Sequence, residues 1–206
     1  MKLYYSPAAC SLAVHIAARE AGIRFDLVKV DLLKHRLETG EPLTSVNRKN
    51  VVPVLELDSG ERLTEAAVIL QWLADKAGDR DLLPAPGSLE RVRVQEWLNF
   101  VATELHKSFS PWLWHPETEE GTKKTVRERL AARFAILDEE LSGRDYLTGD
   151  RFTVADAYAF TIVNWSNLLN VDLKPYANLR AYMDRVAARP AVRQAMSAEG
   201  LLKEAA

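Results

Sequence analysis

One cysteine stands where its thiol could take part in chemistry. Cys10 is the only cysteine of the 206-residue chain, and it lies where a short strand and turn lead into an apolar helical segment beginning at Ser11. A helix N-terminus presents unpaired N–H groups and partial positive charge, which favour a thiolate over a thiol. The alternative is a buried cysteine that fills space beside the helix, since cysteine is among the most buried residue types.

A second thiol does not accompany Cys10. In dithiol oxidoreductases with a βαβ-ββα order of elements, the second sulfur follows three residues after the first, and Ala13 occupies that position here. Redox or transfer chemistry at Cys10 therefore needs a thiol from outside the chain. The sequence predicts that a small soluble thiol compound binds beside Cys10.

Two further segments could present backbone groups to an extended ligand. Pro53 precedes a predicted strand, and a cis bond there would expose the N–H and C=O of Val52. A plain proline at a strand edge is the alternative. Glu65 and Ala66 begin a predicted helix, whose first N–H groups could bind a carboxylate. An acidic residue in a first turn is also ordinary helix-start chemistry.

His106 lies on a helical segment with two different faces. Asn99, Thr103, His106 and Ser110 repeat at helical spacing and form a polar stripe. The imidazole could supply a proton or a hydrogen bond near neutral pH, because its ordinary pKa is about 6.5. The alternative is a solvated helix face. A different side of the helix carries the core stripe: Leu98, Val101, Leu105, Phe109 and Trp112.

Hydrophobic patterns and turn residues divide the chain into two regions. Residues 1–80 contain strand-like segments around two helical ones, at about 11–21 and 65–77, in the order βαβ and then ββα. Residues 78–88 are rich in Gly, Pro and Asp and mark a boundary. The rest is helical throughout. The predicted fold class is α/β plus all-α, with domains at 1–80 and 87–206. The expected helices of the second region are about 88–114, 118–141, 154–169, 179–188 and 191–196.

The composition argues against several classes of partner. Lys and Arg number 27 against 29 Asp and Glu, and no dense basic run could bind a phosphate backbone. The N-terminus has one Lys before a mixed segment with Pro7, unlike a signal peptide, and no apolar run reaches the roughly 18 residues of a membrane span. A lone cysteine suits a reducing compartment, and the histidines make no metal-ligand spacing with it or with each other. We expect a cytoplasmic protein that binds neither nucleic acid, membrane nor metal.

Five segments of the chain resemble a known family. They are "KLYYSPAACSLAVHI", "NVVPVLELDSGERLTEAAVILQWLAD", "EWLNFVATELHKSFSP", "FTVADAYAF" and "ARPAVRQAMSAEGL". In order and separation they are similar to the bacterial beta-class glutathione S-transferases over almost the whole chain. The resemblance implies a thioredoxin-like N-terminal domain, an all-helical C-terminal domain that forms the acceptor-substrate site and dimer contacts, and a homodimer.

For the first domain, the resemblance implies that glutathione is bound as co-substrate. Glutathione would lie along Val52 before a cis Pro53, with its γ-glutamyl carboxylate at the helix begun by Glu65 and Ala66. Cys10 would face the glutathione sulfur, either as a hydrogen-bond donor or as the partner in a mixed disulfide.

For the second domain, the resemblance implies one catalytic residue and three further binding residues. His106 would approach the glutathione sulfur and act with Cys10 in catalysis. Asn99, Thr103 and Glu104 match family positions near glutathione, some of which act across the dimer interface.

Two positions depart from the family pattern. A lysine commonly contacts the glycine end of glutathione where this chain has His35, so that contact would come from His35 or from the preceding Lys34. Position 66 is often Gly or a hydroxyl residue, and Ala66 keeps only the backbone N–H for binding.

The implied activity is conjugation of the glutathione thiol to electrophilic, mostly apolar small molecules, as in detoxification. Thiol-transferase or peroxidase activity is a further expectation. Trp112 and Trp114 could line the acceptor site or belong to the apolar core. The alternative function is a non-catalytic module of the same fold that binds ligands or protein partners.

Overall fold

The first part of the chain forms a five-stranded mixed sheet. The structure is a computed structural model that describes residues 1–202. The strands are β1 (Lys2–Tyr5), β2 (Asp26–Asp31), β3 (Arg36–Leu37), β4 (Val54–Glu56) and β5 (Arg62–Thr64). Their order in the sheet is β3-β2-β1-β4-β5, in which β1 runs parallel to β2 and the other neighbours are antiparallel. A parallel pair needs a crossover connection, whereas antiparallel neighbours can be joined by short loops.

Two helices complete the predicted βαβ-ββα order. Helix α1 (Ser11–Glu20) is the crossover between β1 and β2, and α2 (Ala66–Ala77) follows β5. Gly22 ends the first crossover helix with a positive φ of 66°, a conformation that costs glycine little. The expected α/β fold of this region is confirmed. The structure adds β3, which at two residues is too short to show an alternating pattern.

Strand pairing brings the segments that carry Cys10 and Val52 to the same end of the sheet. Tyr4 of β1 pairs with Val54 of the antiparallel β4, so the end of β1 adjoins the start of β4. Cys10 follows β1 by five residues, and Val52 directly precedes the proline before β4. The next pair of residues in the same two strands is Leu3 and Leu55, and both are fully buried. These side chains anchor β1 and β4 in the core.

Helices make up the second part of the chain. The predicted helix over 88–114 ends earlier, at Phe109, because the ring of Pro111 cannot continue a helix and restricts Ser110 before it. A turn at Asn164 also divides the helix expected over 154–169. The elements are α3 (Leu89–Phe100), a π-helical segment (Val101–His106), α4 (Lys107–Phe109), α5 (Glu120–Glu140), α6 (Val154–Val163), α7 (Trp165–Leu169) and α8 (Ala177–Ala187).

A capping box begins α6, the most buried helix of this part. Asp156 accepts hydrogen bonds from the N–H and hydroxyl of Thr153 at 2.8 and 2.9 Å, as the sequence spacing predicts. It also accepts bonds from the Leu147 N–H at 3.0 Å and the Tyr182 hydroxyl at 3.1 Å. Burial raises the pKa of Asp156, and these donors oppose that shift.

Contacts within the chain divide it into two compact units. Of the described residues, the first unit contains 1–83 together with 189–202, and the second contains 84–188. The last helix, α9 (Pro190–Ala198), thus packs against α1, although it falls in the range expected for the helical domain, 87–206. Arg189 fixes the start of this segment through a two-pronged ion pair with Glu20, at 2.6 and 2.9 Å.

Within residues 1–202, no helix is both long enough and apolar enough to cross a membrane. The same residues contain no group of three or more His, Cys, Asp or Glu side chains arranged to hold a metal ion.

Candidate functional site

Cys10 occupies the N-cap position of α1, directly before the first helical residue. Its side chain is buried, with 8% exposure. The thiol nevertheless has a polar contact, because Sγ–H donates to the carbonyl oxygen of Val52 at 3.3 Å. The predicted position at a helix start is therefore confirmed, and the structure brings Cys10 and Val52 together.

The segment before β4 is held by a side chain that the sequence analysis did not select. The Val52–Pro53 bond is cis, as the resemblance implied. Asn47 is buried, donates from Nδ2 to the carbonyl of Val51 at 2.8 Å and accepts from the Lys49 N–H at 3.0 Å. Asparagine often forms such local bonds in turns, so the sequence held a weak signal for it.

A buried network supports the loop that carries Cys10. Ala8, two residues before the cysteine, has a positive φ of 62° and donates its N–H to Glu199 at 3.2 Å. The other carboxylate oxygen of Glu199 lies 3.0 Å from Nδ1 of His15. The sequence analysis missed this network, because 184 residues separate His15 from Glu199.

The hydrogen bonds of His15 assign a role to each of its ring nitrogens. Arg19 donates from Nε to Nε2 of His15 at 2.9 Å, and a guanidinium can only donate. Nε2 therefore accepts, and Nδ1 is the nitrogen that faces the Glu199 carboxylate.

The start of α2 has the geometry of an anion site. Glu65 is the N-cap, so the helix begins at Ala66 and not at Glu65 as predicted, and the Glu65 side chain makes no capping bond. The first N–H groups of a helix lack partners within it. Glu65 also has φ 68° and ψ 113°, and a bulky residue with positive φ is uncommon outside functional sites.

Lys49 lies beside this helix start and was also missed. Its Nζ is 2.6 Å from the Glu65 carboxylate and donates to the Thr64 hydroxyl at 3.1 Å. More than half of each charged side chain is exposed, so the pair adds little to stability. It places a positive charge next to the expected carboxylate site.

His35 lies in the exposed connection between β2 and β3, with a positive φ of 51°. Its carbonyl accepts a hydrogen bond from the Leu43 N–H at 2.8 Å. The neighbouring Lys34 forms an exposed ion pair with Asp31 at 3.4 Å. Both side chains lie on the surface, and which of them contacts glutathione stays a prediction.

The π-helical segment carries three of the four predicted residues of the second unit. Thr103, Glu104 and His106 lie within it, and Asn99 lies in the preceding turn of α3. A π-helical turn is rare and is frequently found at functional sites. Thr103 donates its hydroxyl hydrogen to the Asn99 carbonyl at 3.0 Å, which brings these two exposed residues together.

Glu104 is paired within the second unit. Its Oε2 accepts from Nε of Arg133 at 2.7 Å and from Nη2 of Arg129 at 3.1 Å. These two guanidinium groups, Arg133 first, lower the pKa of Glu104 below its ordinary value. The carboxylate is therefore charged at neutral pH and is oriented toward α5.

His106 is held among aromatic side chains. Its Nδ1 lies 2.7 Å from the hydroxyl oxygen of Tyr158 on α6. The ring meets Trp165 edge to face, with centroids 5.0 Å apart, and Trp165 in turn meets Trp114 at 5.4 Å. Of the two tryptophans for which the sequence left an acceptor site and the apolar core open, Trp114 contacts this group and Trp112 is 45% exposed. The aromatic cluster consists of His106, Phe109, Trp114, Tyr158 and Trp165.

Comparison with known proteins assigns the family. The model for the N-terminal domain of glutathione S-transferases matches residues 8–76, and that for the C-terminal domain matches residues 100–190. Glutathione S-transferase GstA of Escherichia coli O157:H7 is 48% identical, over 98% of this chain and all of the relative.

Solved structures agree with the sequence relatives. A sphingomonad glutathione S-transferase complexed with glutathione matches with a TM-score of 0.92 and 46% identity, over 98% of this chain and all of the other. A beta-class glutathione S-transferase of Sphingomonas chungbukensis matches with a TM-score of 0.93 and 44% identity, with the same coverage. The resemblance found in the sequence is confirmed, and the chain belongs to the glutathione S-transferase family.

Proposed function

We propose that this protein conjugates glutathione, through its thiol, to electrophilic, mostly apolar small molecules. One observation carries the proposal: the Cys10 thiol, at the start of α1, lies 3.3 Å from the carbonyl of Val52 in a chain 48% identical to a glutathione S-transferase. That family relationship supports an enzyme with glutathione as co-substrate over a non-catalytic binding module.

In the first unit, backbone groups would hold the tripeptide. An extended peptide forms main-chain hydrogen bonds with a strand-like partner, and Val52 is the proposed partner. The γ-glutamyl carboxylate would bind the N–H groups that begin α2, near Glu65, Ala66 and the ammonium of Lys49. His35 or Lys34 would contact the glycine end.

The proposed reaction begins when the glutathione thiol loses its proton to His106 or to water. The thiolate then attacks the electrophilic carbon, a carbon–sulfur bond forms, and a leaving group such as halide departs with the bonding electrons. A hydrogen bond from the Cys10 thiol would stabilise the thiolate before attack. If the Cys10 thiolate instead attacks a disulfide that contains glutathione, a Cys10–glutathione mixed disulfide forms and the other sulfur leaves as a thiol. Thiol–disulfide exchange is then the main activity.

The variants Cys10→Ala and Cys10→Ser separate these two roles. We expect Cys10→Ala to abolish exchange with a glutathione mixed disulfide, because the sulfur is lost. Conjugation of chlorodinitrobenzene should fall about five-fold, the effect of one lost hydrogen bond, and Cys10→Ser should restore most of it. Stopped-flow and steady-state assays measure both rates.

Undiminished rates of both reactions in Cys10→Ala would remove Cys10 from the mechanism. Titration calorimetry with glutathione is the companion measurement. Absence of binding by the wild-type chain would contradict the proposed function itself and favour the non-catalytic module.

The proposal extends to the homodimer, the acceptor site and the cellular compartment. Glutathione would be contacted by Asn99, Thr103 and Glu104, in part across the interface of a homodimer. Sedimentation equilibrium can detect the homodimer. The apolar acceptor would bind at the exposed edge of the aromatic cluster, where Trp114 is 42% exposed. The single cysteine of the sequence suits a cytoplasmic protein.

A further inference from the structure

The hydrogen bond between His106 and Tyr158 joins a proposed catalytic group to a buried residue. The donor–acceptor distance of 2.7 Å is at the short end for a nitrogen–oxygen pair. Tyr158 is 3% exposed and lies in α6, where every side chain is buried. A phenol in such a place is anchored by its neighbours, so its hydroxyl is a stationary partner for the imidazole.

The contact determines which ring nitrogen of His106 would exchange a proton or a hydrogen bond with a substrate. Nδ1 of His106 is engaged by Tyr158, so a proton or hydrogen bond exchanged with a bound thiol would use Nε2. The edge-to-face contact with Trp165 restrains the ring against rotation about its own axis. A phenol hydroxyl can both donate and accept, so the Tyr158 bond persists whether or not Nδ1 carries a proton.

We propose that Tyr158 is the positioning residue that orients His106 for its part in glutathione chemistry. This inference rests on the proposed function, because His106 is one of the catalytic residues of that function. When the glutathione thiol gives its proton to Nε2, the imidazole becomes positively charged. The Tyr158 oxygen then accepts the Nδ1–H and stabilises that charge, without itself changing protonation.

The test compares Tyr158→Phe with Tyr182→Phe. Each variant keeps an aromatic ring and loses one buried hydroxyl, and the Tyr182 hydroxyl bonds only to Asp156 among the partners described above. We expect Tyr158→Phe to lower kcat for chlorodinitrobenzene about ten-fold, a loss typical of one missing hydrogen bond to a reacting group. The KM for glutathione should stay within two-fold of the wild-type value. Tyr182→Phe should lower the melting temperature and leave kcat unchanged.

A second readout follows the ring itself. Nitrogen-15 NMR of His106 in the protein without substrate should show altered Nδ1 and Nε2 shifts in Tyr158→Phe and wild-type shifts in Tyr182→Phe. In a His106→Ala background, Tyr158→Phe should change the remaining kcat less than two-fold.

Three results would overturn the proposal: an unchanged kcat, unchanged ring-nitrogen shifts, or an equal loss of kcat in the His106→Ala background. A wild-type chain that fails to conjugate glutathione would contradict the proposed function. The NMR comparison would then still decide whether Tyr158 orients the ring.

Discussion

Glu65 combines a charged side chain with a backbone conformation that favours glycine. Its φ of 68° lies in the region that residues with a Cβ atom rarely adopt. Holding a residue there costs on the order of 1–3 kcal/mol and is tolerated where function requires it. The direction of the first N–H groups of α2 depends on this conformation.

We predict that Glu65→Gly is more stable than Glu65→Ala by about 1 kcal/mol, although both lose the same carboxylate. Urea unfolding monitored by fluorescence measures the difference. Both variants should bind glutathione more weakly than the wild type, by calorimetry. If Glu65→Ala proves the more stable of the two, the backbone at this position carries no strain.

At the residue scale, sequence reasoning predicted features that depend on position along the chain. Cys10 lies at a helix start as the pattern predicted, and the bond before Pro53 is cis as the family resemblance implied. It missed Tyr158 and Glu199, whose importance comes from partners distant in sequence. A single sequence without tertiary contacts shows a buried tyrosine as an ordinary core residue.

Glu56 links three neighbouring strands of the sheet. It lies directly across from Lys2 on β1 and from Arg62 on β5. The pKa of Glu56 lies below its ordinary value of 4.5, and the largest cause is the hydrogen bond from Arg62 at 2.8 Å. A carboxyl with a lowered pKa in the folded state stabilises the fold above its unfolded pKa, and this stability is lost as pH falls through the folded pKa.

We predict that Glu56→Gln destabilises the protein by about 1 kcal/mol or less at neutral pH, since its two cationic partners are more than one-third exposed. The difference from the wild type should shrink as the pH falls below 4.5. Urea unfolding across acidic and neutral pH measures it. Glu61→Gln, on the exposed turn of the same hairpin, is the control, and a pH-independent difference for Glu56→Gln would contradict the ion-pair interpretation.

Elements were predictable where the sequence contains a repeated pattern or an unambiguous breaker. Strands β1, β2, β4 and β5 and the long helices fall where hydrophobic periodicity places them. The π-helical segment was missed because its spacing differs from an α-helix by too little to see in six residues. The predicted helix continued to residue 114, whereas the observed helix ends at Phe109, because Pro111 cannot continue a helix.

The first unit is completed by residues from the far end of the chain. Glu199 accepts hydrogen bonds from His15 on α1 and from the Ala8 N–H in the loop that carries Cys10. A glutamine has one accepting oxygen in place of two. It can therefore serve only one of these donors.

We predict that Glu199→Gln lowers the free energy of unfolding by about 1–2 kcal/mol, because one of the two hydrogen bonds that Glu199 accepts is lost. The amide of Ala8 should also exchange its hydrogen faster, as measured by hydrogen–deuterium exchange. The control is Glu140→Gln, which breaks a partly exposed ion pair with Arg144. Equal effects of the two variants would show that the buried network does not support the loop.

For the whole molecule, composition and pattern predicted the succession of a mixed α/β part and a helical part. The grouping of α9 with the first unit could not be read from the sequence. Its amphipathic pattern says that one face is buried and does not say which element covers it.

The position of α9 also affects how the protein is made. A ribosome releases the sheet, α1 and α2 long before it synthesises Glu199, which follows His15 by 184 residues. Until then, α1 lacks the helix that packs on it, and its buried histidine lacks a carboxylate. The first unit therefore reaches its final fold only after translation has passed through the second, and until then the face of α1 that α9 covers lacks its partner.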